Sequence, residues 1–266
     1  AAYLPADLRA VVEPQMDRLG ALGGGRLDEL SRIADRHPPV LHPRDAAGRD
    51  LETIEHHPAY REMEQLAYGE FSMHRMCHVE GVFGWPEAMP PLVRYIFQYL
   101  FVQGEFGLIC PVSMADTGLT LMRNQASDEL KEPYLPRMLS NDMDELWRCA
   151  QFLTEQGAGS DVGNIEVMAR AEGDHWLIDG DKWFCSNADA EVILLLARTE
   201  GAVAGSRGLS MFLVPRELDD GNRNHYRIVR LKDKLGTCSM ASGEVTLDGA
   251  VGYLIGELNT GIKQIM

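Results

Sequence analysis

The sequence predicts an α+β protein: an all-α N-terminal helical domain followed by a β-barrel or sandwich domain. Two observations carry this. Apolar residues recur at helical spacing through roughly the first 145 residues, and after Asp144 the period falls toward 2 in a series of short, turn-bounded runs. A helical block followed by a β block marks α+β architecture rather than an alternating α/β fold. The expected divisions are 1–145 for the helical domain, 146–249 for the β domain, and 250–266 for the start of a further helical domain.

The helices follow in order. Ala6 to Leu19 has helical apolar spacing, and the run Gly23-Gly24-Gly25 ends that element. Leu27 to Asp35 forms a second helix, stopped before Pro38-Pro39, and the Pro- and Gly-bearing stretch to Asp50 reads as an irregular connection. Pro58–Tyr68 and Pro90–Gln103 are helical, with Tyr95, Phe97, Tyr99 and Phe101 expected in the core. Gly107–Met122 is rich in small residues, which suits close helix packing. Ser127 is an N-cap before the acidic turn Asp128-Glu129, opening a helix to Leu139 in which Pro133 and Pro136 predict a late start or a kink.

Strands are expected at Trp147–Leu153 and Val167–Ala171, then in a hairpin over His175–Phe184 that turns at Gly180-Asp181. Val192–Thr199, Leu209–Val214, Tyr226–Arg230 and Gly243–Leu247 continue the series toward a barrel or sandwich. Gly261–Met266 looks like a helix beginning, too short to be stable alone.

Composition narrows the function classes. With 45% apolar and 24% charged residues, the chain is that of a soluble globular protein. No run approaches the ~18 apolar residues that cross a bilayer, and Ala1 to Asp7 lacks the regions of a signal peptide. A cytoplasmic protein with no membrane partner is expected. Cys77, Cys110, Cys149, Cys185 and Cys238 form no CxxC pair and read as buried free thiols. His74 and His78 would share a helix face, but without an HExxH glutamate no metal site is expected. The net charge of −15 argues against nucleic acid as a partner. It also means that an anionic ligand must be held by local amides and a few selected cations.

The most informative stretch is Gln151 to Asp161, a β-prone start joined to a glycine-rich turn ending in Ser160-Asp161. Such a turn can present backbone N–H groups and a hydroxyl to a phosphate or another polar edge of a cofactor; the rival reading is a plain turn. Gly157, Gly159 and Gly163 miss the G-x-G-x-x-G spacing by one residue, and the following residues alternate like a strand. The context of a dinucleotide fingerprint is therefore missing. A second segment, Lys182-Trp183-Phe184-Cys185-Ser186-Asn187, follows about thirty residues later.

Together these segments resemble the flavin-binding elements of the acyl-CoA dehydrogenase superfamily. Leu153 to Asp161 resembles its T-E-x-x-x-G-S-D loop, and Gly180 to Asn187 its G-x-K-x-W-I-T-N strand. Asp128 to Pro136, Lys234-Leu235-Gly236 with Ser239, Ile255-Gly256-Glu257 and Gly261-Ile262 resemble further signatures in the same order. Lys182 to Ser186, Arg230 to Gly236, Ser239 to Ser242 and His56 to Tyr60 are similar to the adaptive-response (alkylation-response) branch. The resemblance implies a helical domain, a middle β domain and a C-terminal helical bundle, the last missing from this chain. The DNA binding linked to the founding member of the branch is attributed to that C-terminal region.

Carried over by position, the resemblance implies FAD as cofactor. Gln151, Leu153 and Thr154 would face the isoalloxazine ring, Gly159 would be among the cofactor-binding residues, and Ser160 would lie near the pyrophosphate and the acyl-CoA entry. Phe184 would stand for the aromatic residue that flanks the flavin, and Ser186 for the threonine whose hydroxyl approaches N5. Cys185 falls in the same cofactor segment, with its side chain expected to pack away from the ring; a register on Trp183 would shift each assignment by one. The family reaction is α,β-dehydrogenation of an acyl-CoA thioester with hydride transfer to flavin N5. Its glutamate base lies in the bundle, so no catalytic residue is assigned, and Glu155 is read as part of the loop. An electron-accepting flavoprotein and homo-oligomer formation of the complete protein are implied as well. Two alternatives keep the fold: a non-catalytic or DNA-damage-response flavoprotein or heteromeric subunit, and a flavin oxidase relative.

Overall fold

Residues 3–265 are described by a computed structural model. Helices α1 (Ala6–Gly23) and α2 (Arg26–Arg36) are separated at Gly24-Gly25, where the Gly24 amide bonds back to the Gly20 carbonyl at 3.1 Å. Leu8, Val12 and Leu19 of α1 and Leu27, Leu30 and Ala34 of α2 are buried, so each helix offers one apolar stripe to the core.

The stretch expected as an irregular connection is instead an antiparallel hairpin, β1 (Val40–Arg44) and β2 (Asp50–Glu55), so the N-terminal half is not all helical. Asp45 organises the turn: its Oδ1 accepts from the amides of Ala47 and Arg49 at 2.8 and 3.0 Å. Pro43 is tolerated because these strands form a two-stranded sheet of their own. Glu52 ties the hairpin to the β domain. Its φ of 47° lies in the left-handed region, and its carboxylate accepts from Arg223 at 2.9 Å and from the Ile228 amide at 3.2 Å.

Helix α3 (Pro58–Glu64) continues into π-helical turns over Gln65–Glu70. The chain then passes through turns that contain His74 and His78, which therefore do not share a helix face. In α4 (Pro91–Phe101) the 3.6-residue period divides the aromatic residues. Phe97 and Phe101 are buried, whereas Tyr95 and Tyr99 are 58% and 67% exposed, so only half of the expected aromatic core is core. In α5 (Ile109–Gln125), Gly118 lies against the first strand of the β domain: a Cβ there would sit 2.5 Å from the Cys149 sulfur. Helix α6 (Asp128–Met138) starts directly after its cap, with Ser127 Oγ accepting from the Leu130 amide at 3.3 Å, and runs through both prolines. The late start does not occur, because the cap fixes the first turn.

Seven strands follow: β3 (Cys149–Phe152), β4 (Met168–Glu172), β5 (His175–Ser186), β6 (Val192–Thr199), β7 (Leu209–Pro215), β8 (Tyr226–Leu231) and β9 (Ser242–Ile255). The pairings β6–β4–β5–β9–β7 return to β6 and close a barrel. β3 lies parallel to β6, and β8 pairs antiparallel with β9. The expected turn at Gly180-Asp181 is absent: β5 is continuous, and the β4–β5 hairpin turns at Gly173-Asp174, with Gly173 at φ 64°. Gly180 marks a shift in the β5–β9 register instead. Strand β9 runs to Ile255, so the barrel crosses the division expected after 249. Helix α7 (Gly261–Ile265) packs on β7, where a Cβ on Gly261 would come within 2.9 Å of the Ser210 carbonyl carbon. Met266 of the expected helix lies outside the described residues. No helix among the described residues is long and apolar enough to cross a membrane.

Candidate cofactor wall at one end of the barrel

The two sequence segments meet in space because β3 ends beside the second half of β5. The Trp183 amide donates to the Thr154 carbonyl at 2.8 Å, which extends the β3 path past Phe152. Below this bond, the Lys182 ammonium donates to Glu155 Oε1 at 2.7 Å and to the Leu153 carbonyl at 3.2 Å. Both side chains are almost wholly buried, and burial lowers the Lys182 pKa. Glu155 also accepts from the amides of Glu166 and Val167, at 2.6 and 3.2 Å. Its carboxylate is thus committed to holding the loop, and no proton-abstracting role is open to it.

Above this anchor the loop is uncovered. Glu155 and Ala158 exchange backbone hydrogen bonds at 3.0 and 3.1 Å, which fixes a tight turn. Gly157 and Gly159 lie in that turn without positive φ, and a Cβ on either would meet nothing within 4 Å. The backbone does not require glycine there; what glycine does is leave the amides bare to an approaching group. Ser160 is exposed next to them. Asp161 is turned back, accepting from the Gly163 amide at 3.2 Å.

On β5, Phe184 is 55% exposed and sits at φ 56°, an uncommon region for a bulky residue. Cys185, counted among the cofactor residues, is fully buried with its thiol in the core, and burial pushes its pKa up. Its side chain packs inward, as the sequence reading expected, and the irregularity in β5–β9 pairing between Lys182 and Cys185 places both of these residues inside. Ser186 Oγ returns to the partly open side, 3.4 Å from Ser242 Oγ. Gln151 and Thr154 are half-buried, and the Gln151 side-chain nitrogen is buried with no partner among the described residues. Orphaned buried donors of this kind call for an acceptor.

Sequence reasoning missed the residues that come from β8, β9 and the segment between them. Lys232 Nζ stands 2.9 Å from the Trp183 ring centroid and 4.7 Å from that of Phe184, and donates to Glu244 at 2.7 Å. Lys234 donates to the Met240 carbonyl at 2.7 Å and to Ser242 Oγ at 3.0 Å, and burial lowers its pKa. The run Lys232-Asp233-Lys234 was the available signal, two cations beside a motif in a chain of net charge −15. An orphan amide, bare glycine amides, a hydroxyl and aromatic edges on one wall match the mixed donor and apolar needs of FAD. No three His, Cys, Asp or Glu side chains among the described residues are grouped to hold a metal ion.

Residues 5–145 match the family described as the adaptive response protein AidB N-terminal domain, and residues 150–250 the acyl-CoA dehydrogenase middle domain. Acyl-CoA dehydrogenase family member 11 of Caenorhabditis elegans is 32% identical over 98% of this chain and 43% of its own length. The putative acyl-CoA dehydrogenase AidB of Escherichia coli (strain K12) is 35% identical over 92% of this chain and 45% of its own. The solved structure of C. elegans ACDH-11 in complex with C11-CoA superposes with a TM-score of 0.84, at 29% identity over 98% of this chain and 45% of that one. The chain thus spans just under half the length of these relatives.

Proposed function

The chain belongs to the acyl-CoA dehydrogenase family, in the AidB branch, and on that premise we propose that its barrel forms one wall of an FAD site serving the α,β-dehydrogenation of an acyl-CoA thioester. The observation that carries the proposal is the convergence at the Thr154–Trp183 bond, which brings the Gln151–Thr154 path and the Phe184–Ser186 path onto one surface.

When bound, FAD supplies a two-electron acceptor for the hydride that leaves the β-carbon. The Gln151 amide and the Thr154 and Ser186 hydroxyls donate hydrogen bonds to the polar edge of the ring. The Gly157 and Gly159 amides and the Ser160 hydroxyl hold the pyrophosphate, offsetting a charge that the chain as a whole repels. Trp183 and Phe184 exclude water from the ring edge. An acyl-CoA as substrate is favoured by the C11-CoA complex of the C. elegans relative, and it enters beside Ser160. An electron-accepting flavoprotein takes the electrons onward, and the complete protein assembles as a homo-oligomer.

The test uses the full-length protein. FAD should bind with a resolved flavin spectrum, and Ser186→Ala should weaken binding or slow reduction. Anaerobic addition of a medium-chain acyl-CoA should bleach the flavin. A colourless protein indifferent to added FAD overturns the cofactor assignment; a bound flavin that no acyl-CoA bleaches overturns the dehydrogenase assignment alone.

A further inference from the structure

At the opposite end of β5 from Phe184 and Ser186, a separate cavity of about 440 Å³ opens between the start of α6, the β4–β5 turn and the end of β9. β5 is 12 residues long, so its two ends lie roughly 35 Å apart at the usual strand rise. Three aromatic residues, Tyr134, Trp176 and Tyr253, line this cavity together with three carboxylates, Glu129, Asp174 and Asp219. No Lys, Arg or His is among its described lining residues.

The aromatic residues are held in place rather than loosely exposed. Trp176 packs on Phe212 with ring centroids 5.4 Å apart, and Tyr134 on Trp147 at 5.7 Å. Tyr134 is only 6% exposed. Burial raises its pKa, and Tyr253 and Asp219, which line the same cavity, raise it further. The same Asp219, with Asp174, adds to the effect of burial in raising the Tyr253 pKa. Asp174 is paired with His175 at 3.0 Å, which leaves Asp219 and Glu129 as carboxylates without an ion-pair partner among the described residues. Packed aromatic rings beside such carboxylates, in a cavity whose lining carries no cation, are the recognition chemistry of an organic cation.

We propose that this cavity binds an organic ammonium or guanidinium group, seated against Tyr134, Trp176 and Tyr253 and neutralised by Asp219, with the His175-paired Asp174 at the rim. The Tyr134 hydroxyl accepts a hydrogen bond from the cation's N–H where it has one. A free small cation and a basic side chain of a polypeptide share this chemistry. The cavity is independent of the flavin wall, and its occupancy is read without flavin.

The experiment is calorimetric titration of the full-length protein with tetramethylammonium, agmatine and a short peptide bearing one central arginine, at constant ionic strength. Saturable binding is expected, with Trp176 fluorescence quenched and the quenching lost in Trp176→Phe. The exposed-site variant Asp219→Asn should weaken binding by about fivefold or more, as should the conservative Tyr134→Phe for agmatine over tetramethylammonium. Tighter binding of agmatine than of the peptide names a free cation, and the reverse names a polypeptide side chain. Binding no tighter than that of sodium, or binding unchanged in Asp219→Asn, overturns the proposal.

Discussion

Lys182 Nζ and Glu155 Oε1 lie 2.7 Å apart with almost no access to solvent, joining strand β5 to the loop that follows β3. The pair is the structural reason why two segments about thirty residues apart in sequence share one surface. Without its partner either group is a buried charge, which is costly in a way that a surface ion pair is not.

Lys182→Met should therefore destabilise the protein by about 3–5 kcal/mol in urea unfolding, because it strands the Glu155 carboxylate. The double variant Lys182→Met, Glu155→Gln should recover part of that loss, since no isolated charge then remains and the glutamine oxygen can still accept one of the two loop amides. A Lys182→Met cost below about 1 kcal/mol would show the pair to be solvated and the account wrong.

Phe184 separates stability from binding. Its backbone conformation costs a bulky residue about 1 kcal/mol that glycine does not lose. The ring is more than half exposed, with Trp183 edge-on at 6.4 Å as its aromatic neighbour. Phe184→Gly should leave the melting temperature unchanged or slightly raised, while FAD affinity of the full-length protein falls. A drop of several degrees would mean that the ring packs where the structure leaves it open.

Much of this arrangement was legible from sequence, for identifiable reasons. Val192–Thr199 is bounded as expected because it is a continuous apolar run buried on both faces. The hairpin at 40–55 was not legible: Pro43 and its charged neighbours suppress the strand pattern, while the Asp45 turn that makes it is a local side-chain device. Gly180-Asp181 carries a strong hairpin signal, yet pairing with β9 keeps β5 extended through it. Lys232 and Ser242 reach the wall only through the β8–β9 and β5–β9 pairings, which no local pattern encodes.

His74 should make the fold sensitive to acid. Its Nε2 lies 2.9 Å from the Ser140 carbonyl, an arrangement served by a neutral ring that donates from this nitrogen, and burial lowers its pKa from 6.5 to about 3. Between those values the unfolded chain binds a proton that the folded chain does not, so stability falls as pH falls through that window. The slope from this residue approaches 1.4 kcal/mol per pH unit at its steepest. In urea unfolding between pH 4.5 and 7, His74→Gln should flatten the dependence; an unchanged slope would assign the acid sensitivity to other groups.

Arg148 should couple the helical half to the barrel. Its guanidinium donates to Glu64 of α3 at 3.3 Å, to Asp189 Oδ2 at 3.4 Å and to Glu191 at 2.8 Å. Burial alone would raise the Asp189 pKa, but the Arg148 charge and the His56 ring outweigh it and hold the carboxyl well below the usual range. Removing the cation leaves Arg61 on Glu64 at 2.6 Å but 3.9 Å from Asp189 and 44% exposed, so the buried Asp189 carboxylate loses its main counter-charge. Arg148→Met should then cost about 3–5 kcal/mol, and Arg148→Lys should recover only part, because an ammonium cannot reach three acceptors from one fork. Although the Glu52–Arg223 contact still links the halves, the loss of the Arg148 junction weakens their coupling, and unfolding followed by tryptophan fluorescence and by far-UV circular dichroism should separate into two transitions in Arg148→Met. Coincident transitions with a loss under about 1 kcal/mol would mean that the cost of burying these charges already cancels their attraction, and that apolar packing alone joins the two halves.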